Sequence, residues 1–102
     1  MRIIVMYDVS FKDENDTKEY TKFYTSLQKL GYYRMQYSIY AKTISTHTKY
    51  PYEKAKLISI LPKNANVRIL CISEQQYQGI EILRGSKSLN EKYNDNERYI
   101  KL

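Results

Sequence analysis

The N-terminal segment RIIVMYDV, positions 2–9, is apolar on both of the faces that a β-strand presents. Odd-numbered side chains would point to one side and even-numbered side chains to the other, because successive residues alternate across a strand. We therefore expect a strand that is covered on both sides. Asp8 stands at the end of this run. A buried strand that delivers a carboxylate to its end is more typical of a functional site than of a solvated surface.

Positions 15–31 have the periodicity of an amphipathic helix. Asp16 is the predicted N-cap, with Glu19 three residues later as in a capping box, and Gly31 ends the helix. One apolar stripe follows the 3.6-residue period and consists of Tyr20, Phe23, Tyr24, Leu27 and Leu30.

The rest of the chain supplies further strands and one more helix. Residues 32–44 alternate between two faces, and residues 66–73 and 79–85 are apolar runs of strand length. A second helix is predicted to begin at Pro51 and to stop before Pro62. Its inward-facing residues are predicted to be Ala55, Leu57, Ile58 and Leu61.

These elements match the order strand, helix, strand, strand, helix, strand of a ferredoxin-like βαββαβ fold. The predicted class is therefore α+β, with a ferredoxin-like domain over residues 1–85. Residues 86–97 are polar, and RYIKL at 98–102 alternates again. We interpret residues 86–102 as a C-terminal arm with an extra strand, which can add to an edge of its own sheet or of a neighbour's.

Size and composition restrict the setting. The 102 residues fit one domain, and the single cysteine, Cys71, excludes an internal disulfide and suits a reducing compartment. No apolar run approaches the ~20 residues that cross a bilayer, and the first residues lack signal-peptide character. We expect a cytoplasmic protein without a membrane partner.

The formal net charge is +6, with 17 Lys and Arg against 11 Asp and Glu. Such an excess favours a polyanionic partner, although plain solubility would explain it as well. Lys18, Lys22 and Lys29 fall on the outer side of the first helix, where they either meet phosphates or form a solvated face. The residues predicted to contact nucleic-acid phosphates are Lys22, Arg34, Lys42, Arg68 and Arg84.

Familiar catalytic and nucleotide-binding motifs are missing. The sequence has no P-loop, no G-x-G-x-x-G, no CxxC and no Ser/His/Asp set. His47 is the only histidine and has no companion at metal-ligand spacing, so it receives no role.

Three stretches together carry a resemblance to a known family. They are IIVMYDVS at the start, LGYYRMQYSIY with Gln36, Ser38, Ile39 and Tyr40, and NVRILCISEQQYQGIEILRG near the end. In these stretches the chain resembles the small CRISPR-associated Cas2 family, which accompanies the spacer integrase, and in particular the subtype found beside the Cas9 effector. Relatives of this subtype often carry arginines in the middle of the first helix, where this chain has Thr21 and Tyr24.

The resemblance implies a ferredoxin-like, face-to-face homodimer that acts in acquiring new spacers. The dimer would sit between integrase dimers and support a foreign DNA duplex. Some members of the family are described as metal-dependent endonucleases that act on RNA or DNA, with magnesium held by the aspartate that ends the first strand. That aspartate is Asp8 here, which makes it the predicted catalytic and metal-binding residue.

A two-fold dimer gives a physical reason for Asp8. If the symmetry mate covers the second face of the first strand, the two Asp8 carboxylates approach each other and repel unless a proton or cation lies between them. One Mg²⁺ per dimer would suit such a pair, since this ion uses one or two carboxylates with water and phosphate. The open alternatives are a nucleic-acid scaffold, a nuclease, and an unrelated ferredoxin-like sensor dimer for a small molecule.

Overall fold

The computed structural model describes residues 1–9 and 12–92, which form one sheet with helices on both of its faces. The elements in chain order are β1 (Arg2–Val9), α1 (Glu14–Lys29), β2 (Tyr33–Gln36), β3 (Ile39–Thr43), a 3₁₀ turn (His47–Lys49), α2 (Tyr50–Ile58), β4 (Ala65–Ile72) and α3 (Glu74–Gln78).

The sheet has the strand order β2-β3-β1-β4, and every neighbouring pair is antiparallel. Its first six elements and this strand order are those of a ferredoxin-like fold, which confirms the predicted class. β1 lies in the interior of the sheet, pairing with β3 on one side and along its whole length with β4 on the other. The central position explains why the N-terminal run is apolar on both faces.

The main core lies between the sheet and the layer of α1 and α2. Ile3 and Val5 of β1 are completely buried there, and Phe23 and Leu27 of α1 pack against them. Tyr40 of β3 is also completely buried. The odd-numbered side chains of β1 therefore face the helices, as expected from the alternation.

The opposite face of the sheet is covered at one end only. Ile4, Tyr33 and Ala41 pack there against Tyr77 of α3 and form a second, smaller core. Arg2 is completely buried beside this core and donates two hydrogen bonds to the carboxylate of Glu74. Toward the end of β1 the cover stops, since Met6 is half-buried and Asp8 is exposed.

The structure corrects two of the predicted strands. Residues 33–43 form a hairpin of two short strands rather than one long strand, with the turn at Tyr37 and Ser38 and an irregular register between Arg34 and Gln36. Residues 79–85 form no strand, because α3 and irregular backbone follow β4. The fourth strand of the fold is thus β4 itself.

The predicted details of the two helices also need correction. The N-cap of α1 is Asp13, whose side chain accepts from the Asp16 backbone N–H at 2.9 Å, so α1 begins two residues earlier than expected. In α2 only Leu57 of the four predicted inward residues is buried, and Glu53 is the other buried residue. Ala55, Ile58 and Leu61 are exposed.

The predicted terminal strand at 98–102 lies outside the described residues. The preceding segment contacts the edge of the sheet, because the Ser88 hydroxyl donates to the Arg34 backbone carbonyl at 2.9 Å. None of the helices in the described part of the chain combines the length and apolar composition that a membrane span requires.

Candidate functional site

Asp8 occupies the second-last position of β1, directly opposite Asn66 of β4. It shares its side of the sheet with Met6, because the two are separated by one residue in the same strand. Arg68 pairs with Met6 in the register and therefore lies on that side too. Asp8 is exposed, so the strand carries its carboxylate past the covered part of the sheet into an open region.

The turn between β2 and β3 forms another wall of this region. The Tyr7 backbone N–H donates to the Ser38 carbonyl at 3.1 Å, which holds the turn against β1. A shallow depression results, and its lining includes Asp8, Ser38, Ile39, Asn66 and Arg68. We use the name Asp8 face for the open surface formed by Met6, Asp8, Ser38, Ile39, Asn66 and Arg68.

One copy of the chain supplies few metal ligands here. Within residues 1–9 and 12–92, no three His, Cys, Asp or Glu side chains come together in a way that could hold a metal ion. Asp8 is the only carboxylate of the Asp8 face, and Asn66 adds an amide oxygen. A hard cation would need oxygen atoms from a second copy, from water or from a phosphate.

The acidic residues that follow β1 have structural roles. Asp13 caps α1, and Glu14 begins it. Asp16 is buried and accepts hydrogen bonds from the Lys12 backbone N–H at 2.9 Å and the Asn64 side-chain amide at 3.0 Å. The hydrogen bond from Asn64, followed by that from Lys12, lowers the pKa of Asp16 below its usual value. Asp16 thus ties the start of α1 to the segment that leads into β4.

Two of the predicted phosphate-binding residues are engaged inside the chain. Lys42 donates to Glu53 at 2.9 Å and lies 5.7 Å from the centre of the Tyr32 ring. The pKa of Glu53 is opposed by burial, which raises it, but the hydrogen bond and charge of Lys42 bring it below its usual value.

Arg34 is the second engaged residue. Its Nε donates to the Tyr40 hydroxyl at 3.0 Å, and its guanidinium lies 5.0 to 5.6 Å from the ring centres of Tyr24, Tyr37 and Tyr40. Contacts of this kind hold an arginine by cation–π attraction.

Lys22, Arg68 and Arg84 are exposed, but they lie in different places. Lys22 is on α1, in the helix layer that covers one side of the sheet. Arg68 is on the opposite side with Asp8, and Arg84 follows α3. The structure therefore does not bring the five predicted residues together on one continuous surface.

Asn66 and Lys12 are the neighbours of Asp8 that the sequence reasoning did not identify. The alternation of β4 contains the signal for Asn66, since Asn66 and Arg68 interrupt an otherwise apolar strand at every second position. Pairing that strand antiparallel to β1 would have placed Asn66 opposite Asp8. Lys12 follows a loop whose path the sequence pattern does not determine.

Comparison with known proteins places the geometry in context. The model of the family described as CRISPR associated protein Cas2 matches residues 1–80. A protein of Campylobacter jejuni named CRISPR-associated endoribonuclease Cas2 is 38% identical over 97 residues, which cover 93% of this chain and 66% of that protein. A protein of Ligilactobacillus salivarius with the same name is 30% identical over 100 residues, covering 98% of each chain.

A crystal structure of Streptococcus pyogenes Cas2 at pH 6.5 has the same fold. Its TM-score is 0.61, with 21% sequence identity, and the match covers 82% of this chain and 100% of that chain. The fold, the family model and the curated relatives agree with one another. The chain therefore belongs to the CRISPR-associated Cas2 family.

Proposed function

We propose that this chain is a cytoplasmic homodimer that acts in CRISPR spacer acquisition, where it holds the integrase on a duplex of foreign DNA. A second activity, slow metal-dependent cleavage of RNA or DNA phosphodiesters, is assigned to Asp8. Family membership supports the first part, and the name endoribonuclease, which the relatives carry, supports the second. The comparisons lend no support to the small-molecule sensor alternative.

The observation that carries the proposal is the uncovered end of the sheet. The face that α3 closes at the Arg2 end is open at the Asp8 end, where Met6 and Ile39 are half-buried and Leu70 is 40% exposed. Ile80, Ile82 and Leu83 are also exposed in the segment that follows α3. Apolar area of this kind beside a charged centre suits the interface with a second copy.

A two-fold axis through the Asp8 face would bring the two Asp8 carboxylates toward each other. Their repulsion favours a bound cation between them, and Asn66 of each copy could complete the oxygen set together with water. The chemical character of this donor set fits Mg²⁺, which would supply polarisation of a phosphodiester or activation of a water. The chain's own part is to hold the carboxylates at the end of two rigid strands.

The small number of carboxylates argues for modest catalysis. Efficient two-metal phosphodiesterases use several acidic ligands, whereas a dimer of this chain would offer two at the Asp8 face. The same face can still serve as the centre of a scaffold, because holding a duplex requires phosphate contacts and no bond breaking.

Duplex binding is assigned to the basic residues. Arg68, Arg84 and Lys22 are the strongest candidates because they are exposed. Arg34 and Lys42 would have to leave Tyr40 and Glu53 to reach a phosphate. Contacts of this type position a duplex without reading its bases, so we expect binding that is independent of sequence.

The decisive experiment is Asp8→Asn, which is nearly isosteric and removes the charge. Wild type should cut RNA or DNA only with a divalent cation, and the variant should lose at least about tenfold in rate, or about 1.4 kcal/mol of barrier. Glu14→Gln, an exposed carboxylate outside the Asp8 face, is the control and should cleave as wild type does. Cleavage that survives Asp8→Asn would remove the catalytic part of the proposal.

The scaffold part has a separate readout. Sedimentation at micromolar concentration should give about twice the chain mass of 12.2 kDa. Asp8→Asn should still dimerise, bind the integrase and support spacer acquisition in cells. A monomeric wild type, or loss of acquisition on this single change, would contradict the scaffold.

A further inference from the structure

The outer surface of α2 carries apolar and aromatic side chains where a polar face was expected. Tyr52 is 74% exposed and Ile58 is 59% exposed, with Ala55 between them. Glu53 and Leu57 point into the protein instead. A large aromatic ring held out in solvent on a helix is unusual enough to require a partner.

Aromatic rings are concentrated at the start of this helix. The His47 ring stacks on the Tyr50 ring with centroids 6.3 Å apart and an angle of 25° between the planes. Tyr50 in turn packs against the main core, so the stack rests on a rigid base. Tyr52 follows in the first turn of α2, after Pro51, which fixes the direction in which the helix begins.

The charge around these rings is positive and uncompensated. Glu53 is the only acidic residue of the sequence between positions 20 and 73. It is neutralised by Lys42 at 2.9 Å and approached by Lys56 at 3.6 Å. Lys49 and Lys54 are exposed and form no ion pair within the part of the chain that the structure describes. We use the name α2 platform for His47, Lys49, Tyr52 and Lys54.

The α2 platform is separate from the Asp8 face. The 3₁₀ turn follows β3 at the end of the sheet where Arg2 pairs with Thr43 and the Ile44 N–H donates to the Met1 carbonyl. Asp8 lies six residues further along β1, or roughly 20 Å at the rise of a strand. A ligand on one surface would not occupy the other.

We propose that the α2 platform binds single-stranded nucleic acid, with a base stacked on Tyr52 and the neighbouring phosphates held by Lys49 and Lys54. Exposed aromatic rings interleaved with lysines are the arrangement that binds single strands without sequence preference. A duplex fits less well, because its bases are already stacked and offer no free face to Tyr52. A second copy of the same surface is disfavoured by repulsion between like charges. This site goes beyond the proposed function, which uses the opposite end of the sheet.

The sequence provides a clean reporter, because it contains no tryptophan. Tyr52→Trp places a single indole on the α2 platform, and Tyr37→Trp is the matched control at the hairpin turn, where Tyr37 is 72% exposed. Each protein is titrated with oligothymidylate of about ten nucleotides, a length within the site size of such surfaces. The indole at position 52 should be quenched in a saturable way that weakens with salt, and that at position 37 should not.

A second pair of variants tests the same point without the reporter. Tyr52→Ala should weaken oligothymidylate binding by about tenfold, and Tyr37→Ala should leave it unchanged. Asp8→Asn should retain the quenching at position 52, which separates this site from the proposed function. Equal quenching in both tryptophan proteins, or no quenching at position 52, would overturn the proposal. An α2 platform that is silent to oligothymidylate would direct attention to an acidic protein partner instead.

Discussion

Arg2 and Glu74 are joined by two hydrogen bonds, from Nε at 3.1 Å and from Nη2 at 2.8 Å, although they stand 72 residues apart. The guanidinium also lies 3.7 Å from the centre of the Tyr77 ring and donates to the Tyr33 hydroxyl. These contacts attach α3 to the sheet at the end opposite Asp8. The covered and open ends of the second sheet face therefore depend on one buried arginine.

Replacing Glu74 by Ala should destabilise the protein by about 3 kcal/mol, because Arg2 would be left as a buried charge without its carboxylate partner. Urea denaturation followed by circular dichroism measures the change. Gln75→Ala, at an exposed position of the same helix, is the control and should cost less than about 0.5 kcal/mol. Equal effects of the two substitutions would show that α3 does not depend on Arg2.

Two adjacent tyrosines should respond in opposite ways to loss of their hydroxyl groups. The Tyr32 hydroxyl is buried and has no hydrogen-bond partner among the described residues, so Tyr32→Phe should be neutral or stabilise by up to about 1 kcal/mol. The Tyr33 hydroxyl accepts from Arg2 and donates to Tyr77 at 3.0 Å, so Tyr33→Phe should destabilise by about 1–2 kcal/mol.

The free energies of unfolding of the two phenylalanine variants, measured under identical conditions, test this difference. Because both residues are at least 92% buried, burial alone would predict the same effect for both. A destabilised Tyr32→Phe would reveal a partner of the Tyr32 hydroxyl outside residues 1–9 and 12–92.

The fold was predictable because its strongest signals are local. The two-sided apolar pattern of β1 and the stripe of α1 each correspond to a burial pattern that the structure has. The hairpin was missed because alternation continues across its turn, so that Tyr37 and Ser38 look like strand residues. The extra strand at 79–85 was wrong because its apolar residues are exposed, and pattern alone does not say what covers them.

The candidate site was predictable only in its first element. Asp8 stands out because it ends a buried run, but its neighbour Asn66 comes from a strand 58 positions later and depends on the register. The fate of Lys42 depends on Glu53, which appears in the sequence as an ordinary surface carboxylate of a helix. Residues that become paired through tertiary contacts cannot be separated from free ones by charge pattern alone.

Stability should fall at low pH partly because of Asp16. The pKa of this carboxyl is lowered in the folded protein by the hydrogen bonds from Asn64 and Lys12. Its contribution is therefore present above the unfolded pKa of about 3.9 and is lost as the pH falls through the lower folded value. Asp16→Asn should make the melting temperature less dependent on pH in that acidic range. Glu14→Gln, which changes an exposed carboxylate of the same helical turn, should leave the slope as in wild type.

Duplex binding should depend on the position of a positive charge and not only on net charge. Arg68→Gln removes a cation from the Asp8 face, and Lys54→Gln removes one from the α2 platform at the other end of the sheet. If Arg68 holds one phosphate, its loss should weaken binding of all duplex sequences alike and reduce the slope of log K against log salt by about 0.9. Lys54→Gln should leave that slope unchanged. Fluorescence anisotropy with a labelled duplex at several salt concentrations provides both numbers. An identical loss in the two variants would mean that the duplex responds to the net charge of +6 and that the Asp8 face holds no phosphate.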